Sequence, residues 1–122
     1  MIKILIVDDE VQIRESLKIF LERNGYTISV AADGAEALNK ISSETFNLVV
    51  MDIIMPEKDG VELLVEIRKD YKNLPVIAMT GGGRIGKQNY LQMAKALGAS
   101  AVLTKPYDLD DFLMVINELL NE

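Results

Sequence analysis

The sequence predicts an α/β domain in which one parallel β-sheet lies between two layers of helices. Three observations predict it. Five short apolar runs alternate with five amphipathic stretches along the 122 residues. The runs are apolar at consecutive positions, as in strands covered on both faces, and not at every second position. Helix start and stop signals fall between the runs. Five βα units in this order argue for an open, doubly wound sheet.

The elements follow in order. Ile2 to Val7 is apolar except for Lys3, and the runs Thr27 to Ala31, Leu48 to Met51, Val76 to Met79 and Ala101 to Leu103 are similar. The first helix carries the stripe Ile13, Leu17, Phe20 and Leu21 and stops at Asn24-Gly25. Asp33, with Glu36 three residues on, reads as a capping box ahead of Leu38 and Ile41. Asp59 and Glu62 repeat the device ahead of Leu64 and Ile67. Tyr90, Leu91, Ala94 and Leu97 form a fourth stripe, closed by Gly98. Asp108 opens the last helix, whose apolar positions include Leu109, Phe112, Leu113, Ile116 and Leu120.

Composition excludes several chemistries. The formal net charge of −6 gives no global attraction for nucleic acid or an anionic membrane, so neither is expected as a direct partner. With no Cys, disulfides and thiolate chemistry are ruled out; with no His, so are imidazole catalysis and histidine metal ligation. The chain opens directly on a strand-like segment without signal-peptide architecture, and its apolar runs are too short for a bilayer. The expected location is the cytoplasm.

In open α/β sheets, ligands sit beyond the carboxyl ends of the strands. Asp8 and Asp9 follow the first run, Asp52 ends the third, Thr80 ends the fourth, and Lys105 ends the fifth, with Pro106 behind it. Three carboxylates, a hydroxyl and an ammonium are thereby expected on one rim. Clustered carboxylates repel one another and favour a bound cation, and an oxygen-only donor set suits Mg²⁺. A carboxylate is also a competent nucleophile toward phosphorus. Phosphoryl transfer needs charge neutralisation, which the cation and Lys105 supply, with hydrogen bonds from Thr80 and the glycine-rich turn after it. Singly, each residue has a plainer reading, because Asp is common at helix starts and Lys at strand ends is usually solvated. Capping does not require four strands to cooperate at one rim.

These residues resemble the response-regulator receiver family and are similar to its single-domain chemotaxis-type regulators. The resemblance rests on Val7-Asp8-Asp9-Glu10, on Asp52-Ile53-Ile54-Met55-Pro56 with Gly60 eight residues past Asp52, on Thr80, and on Lys105-Pro106. It covers residues 1–122 as one receiver domain. It implies a three-layer (βα)5 flavodoxin-like fold with strand order 2-1-3-4-5. It further implies that Asp52 is the phosphoacceptor, and that Mg²⁺ is held by Asp9, Asp52 and the Ile54 backbone carbonyl, with Asp8 acting through water. Lys105 pairs with the phosphoryl group, and Thr80 and Gly81 bond to it. Thr80 moves inward as a switch. Pro56, Gly60 and Pro106 are structural, and Lys105-Pro106 is a cis bond. Expected partners are a sensor histidine kinase or phosphotransfer protein and a downstream target or effector domain, with a homodimer linked to phosphorylation. The expected role is a signalling switch and not an enzyme.

Three features depart from the family pattern. Val102 stands where the family often carries a switch aromatic, and reads as core. The segment from Thr80 to Lys105 is longer than in chemotaxis-type relatives, with its surplus in Gly81-Gly82-Gly83-Arg84-Ile85-Gly86. Ile54 and Gly82 stand two residues after Asp52 and Thr80, and neither side chain can hydrogen-bond an attacking water, which predicts slow loss of the phosphoryl group.

Rival readings remain open. Residues 81–87 fit the frame of a P-loop for nucleoside triphosphates, but Gln88 stands where that motif wants Ser or Thr. A haloacid-dehalogenase-type hydrolase wants a second Asp at the position of Ile54. A scaffold that never takes a phosphoryl group would keep the carboxylate cluster without using it. The absence of a linker after Leu120 favours a stand-alone regulator over the receiver of a larger one. Output is expected on the surface of the fourth predicted helix, fifth strand and fifth helix, with Arg84, Lys87, Gln88, Gln92, Lys95, Asp110 and Asn117 as candidates.

Overall fold

Five strands, β1 (Lys3–Val7), β2 (Thr27–Ala31), β3 (Leu48–Asp52), β4 (Val76–Thr80) and β5 (Ala101–Thr104), form one sheet in the order β2-β1-β3-β4-β5. Every neighbouring pair is parallel. The computed structural model describes residues 1–53, 60–80, 92, 94–104 and 107–120. The predicted doubly wound order 2-1-3-4-5 is the order found.

The consecutive apolar runs explain the centre of this sheet. Residues 4–7 of β1, 48–51 of β3 and 76–79 of β4 are fully buried. Alternate side chains point to opposite faces. Leu5, Val7, Val49 and Met51 pack on one face against Ala37, Ile41, Leu63, Leu64 and Ile67. Ile4, Ile6, Val50 and Met79 pack on the other against Leu17, Leu21, Phe112 and Ile116. The helices α1 (Val11–Arg23) and the C-terminal helix (Leu109–Leu120) cover the second face, and α2 (Gly34–Ser43) and α3 (Gly60–Asp70) the first. Of the fourth predicted helix, residues 92 and 94–96 are described and helical.

The outer strands differ from the prediction of two-sided burial. Thr27 to Val30 of β2 and all four residues of β5 are only half-buried, because each strand lies at an edge of the sheet. The β2 edge is covered by Lys40, whose Nζ donates to Ser29 Oγ at 3.2 Å and to the Val30 carbonyl. A lysine in that place discourages another strand from pairing there.

Local signals set the helix ends. Gly25 has φ 93°, its amide donates to the Glu22 carbonyl at 3.1 Å, and the Tyr26 amide donates to Leu21 at 3.2 Å. This is the 5→2 and 6→1 pair of a Schellman turn. Gly98, at φ 103°, repeats it, its amide donating to Lys95 and that of Ala99 to Ala94. Asp33 Oδ1 accepts from the Glu36 amide at 2.8 Å, and Glu36 Oε1 accepts from the Ala32 amide at 2.8 Å. The predicted capping box is therefore present, returning to the residue before the cap. Asp108 accepts from the Asp110 amide through Oδ1 at 3.0 Å. The Asp59 cap lies outside the described residues.

Candidate functional site

The strand register brings the acidic residues together. Val7 pairs with Met51 and Asp52 with Met79, so Asp8, one step past β1, arrives level with Asp52 at the end of β3. The Asp8 amide donates to the Ala31 carbonyl at 3.1 Å, and the Ile53 amide donates to Met79 at 2.9 Å, carrying strand pairing into the site. Carboxylate oxygens of Asp8, Asp9 and Asp52 lie within 4.8 Å of one another. Asp8 is 0% exposed and Asp52 6%, while Asp9 is exposed.

Asp8 is not a helix cap. Its Oδ1 accepts from the Glu10 amide at 2.9 Å, whereas the residue at the cap position of α1 is Glu10, without a side-chain cap bond. That bond fixes the turn between β1 and α1 and leaves the carboxylate facing the rim. Arg14, on the first turn of α1, donates from Nη1 to the Asp8 carbonyl at 2.7 Å. Sequence reasoning does not find this contact, because it depends on how α1 leans across the end of β1.

Gly60 shows why a residue without a side chain is needed behind the site. Its amide donates to the Ile53 carbonyl at 2.9 Å. A Cβ there would stand 2.5 Å from the Asp52 carbonyl oxygen and 2.5 Å from Ile53 Cα, closer than atoms can pack. The first turn of α3 therefore presses directly on the backbone of the strand end.

Thr80 closes β4, where it pairs with Thr104, the residue before Lys105. The register thus directs β5 to the same rim. The Thr80 side chain, Ile54, Pro56, Gly81, Lys105 and Pro106 lie outside what the structure describes, as does the whole 81–88 loop of the P-loop rival. Val102 is half-buried and packs against the cluster that contains Val7 and Met51. Of the candidate output residues, Arg84, Lys87 and Gln88 lie outside the described residues, and Asn117 Oδ1 accepts from the Tyr26 hydroxyl at 2.7 Å.

Three clustered oxygen donors, two of them buried, fit a small hard cation and exclude soft-metal coordination. A cavity of about 690 Å³ lies elsewhere, at the amino ends of β3 and β4, lined by residues including Thr45, Asn47, Tyr71 and Asn73. It contains none of the three carboxylates. No helix among the described residues is long and apolar enough to cross a membrane.

Comparison with known proteins agrees with this geometry. A family model described as the response regulator receiver domain matches residues 4–117. The chain is 35% identical over 119 residues to the response regulator MprA of Mycobacterium ulcerans, covering 98% of this chain and 50% of MprA. The chain thus spans about half the length of the curated relatives it matches. The response regulator TrrA of Thermotoga maritima, solved in complex with Mg²⁺-BeF, is 36% identical with a TM-score of 0.86, covering 98% of this chain and 100% of TrrA. The chemotaxis protein CheY4 of Vibrio cholerae is 32% identical with a TM-score of 0.87, covering 98% and 99%. The acidic rim, the sheet order and these matches converge, and the chain belongs to the response regulator receiver domain family of two-component signalling.

Proposed function

We propose that this receiver takes a phosphoryl group onto Asp52 from a phosphohistidine of a sensor kinase or phosphotransfer protein. The observation that carries the reading is the convergence of Asp8, Asp9 and Asp52 at the carboxyl ends of β1 and β3. One Asp52 carboxylate oxygen attacks phosphorus, the P–N bond breaks, and the electron pair leaves on the donor imidazole. Asp9, Asp52 and the Ile54 carbonyl would hold Mg²⁺, with Asp8 acting through water. The cation would neutralise charge on the transferring group. TrrA, similar over its whole length and solved with Mg²⁺-BeF, supports that choice of metal. Lys105 would pair with the phosphoryl group, and Thr80 and Gly81 would donate hydrogen bonds to it.

Output follows from a two-state domain, in which phosphorylation biases the surface that includes β5 and the C-terminal helix toward a partner-binding form. The half-length match to MprA favours a second arrangement, in which the same receiver acts on an effector domain joined to it.

Intact-mass spectrometry after incubation with acetyl phosphate tests the acceptor. The expected result is a gain of one phosphoryl group that needs Mg²⁺ and is absent in Asp52→Asn. Uptake by Asp52→Asn equal to that of the unaltered chain would remove Asp52 as the acceptor.

A further inference from the structure

We infer that Arg14 is a positioning residue that holds the Asp8-Asp9 segment in the geometry Mg²⁺ requires; the inference rests on the receiver reading above. The turn between β1 and α1 closes on itself through three bonds. Asp8 Oδ1 accepts from the Glu10 amide at 2.9 Å. The Glu10 carbonyl accepts from the Arg14 amide at 3.1 Å. Arg14 Nη1 returns to the Asp8 carbonyl at 2.7 Å. The ring encloses Asp9, an exposed carboxylate of the cluster, between two fixed neighbours. Its outer anchors are the Asp8 amide on the Ala31 carbonyl and the buried Leu17 one turn beyond Arg14.

The end point of the guanidinium bond matters. It lands on a main-chain carbonyl and so uses no carboxylate oxygen. A bond from Arg14 to one of the carboxylates would compete with the metal for its ligands. Here the same cation fixes the backbone, and its charge beside the cluster offsets carboxylate repulsion while the metal is away. Mg²⁺ demands near-ideal octahedral ligand placement, so freedom in the Asp8-Asp9 backbone translates into weaker binding. Removing groups that orient metal ligands typically lowers affinity by about 10–100-fold. The opposing effect, repulsion between the guanidinium and Mg²⁺, is weakened by the half-exposed position of Arg14.

The two effects predict opposite signs, which calorimetric titration of Mg²⁺ separates. Arg14→Ala and Arg14→Gln are expected to bind Mg²⁺ roughly tenfold or more weakly than the unaltered chain. Arg14→Lys, which keeps the charge and one donor, is expected to fall between. The Glu10 amide in the Mg²⁺-free Arg14→Gln protein should exchange hydrogen faster. Phosphorylation by acetyl phosphate should show a raised Mg²⁺ half-saturation, with the plateau largely kept. Binding within twofold of the unaltered chain, or tighter, in either Ala or Gln variant that keeps its circular dichroism overturns the inference. An unaltered chain that binds no Mg²⁺ overturns it too. An unaltered chain that binds Mg²⁺ yet takes up no phosphoryl group from acetyl phosphate or from a phosphohistidine donor overturns the proposed phosphorylation of Asp52, and with it the purpose assigned to Arg14.

Discussion

Gly60 and Asp52 touch backbone to backbone: a Cβ on Gly60 would lie 2.5 Å from the Asp52 carbonyl oxygen. Nothing flexible stands between them, so a side chain at position 60 must push α3 away or move the end of β3. Gly60→Ala is expected to lower stability by about 1–3 kcal/mol, the usual range for overfilling a packed site. It should also slow phosphoryl uptake, since the strand end carries Asp52, the proposed acceptor. Urea unfolding followed by circular dichroism gives the first value. An unchanged midpoint would show that α3 absorbs the methyl group without strain.

Crowded carboxylates are expected to make stability depend on the cation. Mg²⁺ at a hundredfold excess over its dissociation constant should stabilise the fold by about 2.7 kcal/mol. Asp9→Ala, which thins the Asp8, Asp9 and Asp52 cluster, should melt at a higher temperature without Mg²⁺ and respond little to its addition. Differential scanning calorimetry compares the two proteins with and without Mg²⁺. Equal responses would mean that the cluster is not what the metal relieves.

The Asp33 cap lies outside the acidic cluster. Asp33→Ala removes the acceptor of the 2.8 Å bond from Glu36 and should cost about 1 kcal/mol of stability. Phosphorylation at Asp52 should proceed at the unaltered rate. A large loss of phosphorylation at preserved stability would place α2 in the reaction.

The aspartyl phosphate should persist. Ile54 and Gly82 offer no side-chain hydrogen bond to an attacking water. Loss of the phosphoryl group, followed by intact mass after removing the donor, is expected to take minutes or longer. A half-life of seconds would mean that another group orients the water.

Much of the fold was legible because its causes are local. The stops at Gly25 and Gly98 and the start at Asp33 follow from single residues whose backbone or side-chain chemistry fits one conformation. The buried cores of β1, β3 and β4 follow from runs with no polar interruption. The acidic site was legible at one remove, because a parallel order places Asp8 and Asp52 on one rim whatever the packing details. The half-burial of β2 and β5 was not, since a strand's own residues do not say that it is an edge. The Arg14 bond to Asp8 was equally hidden. It requires the lean of α1, which Leu17 and Leu21 set by packing against residues from β1 and from the C-terminal helix.

The helical layer over Ile4 and Ile6 has a consequence for the order in which the protein is made. It combines α1 with the C-terminal helix, and Phe112 and Ile116 fill the same cluster as Leu17 and Leu21. A ribosome delivers the first strand and helix long before those two side chains emerge. The nascent domain must therefore carry an open apolar face until Phe112 and Ile116 have left the exit tunnel, so that face closes only after all five strands have been made.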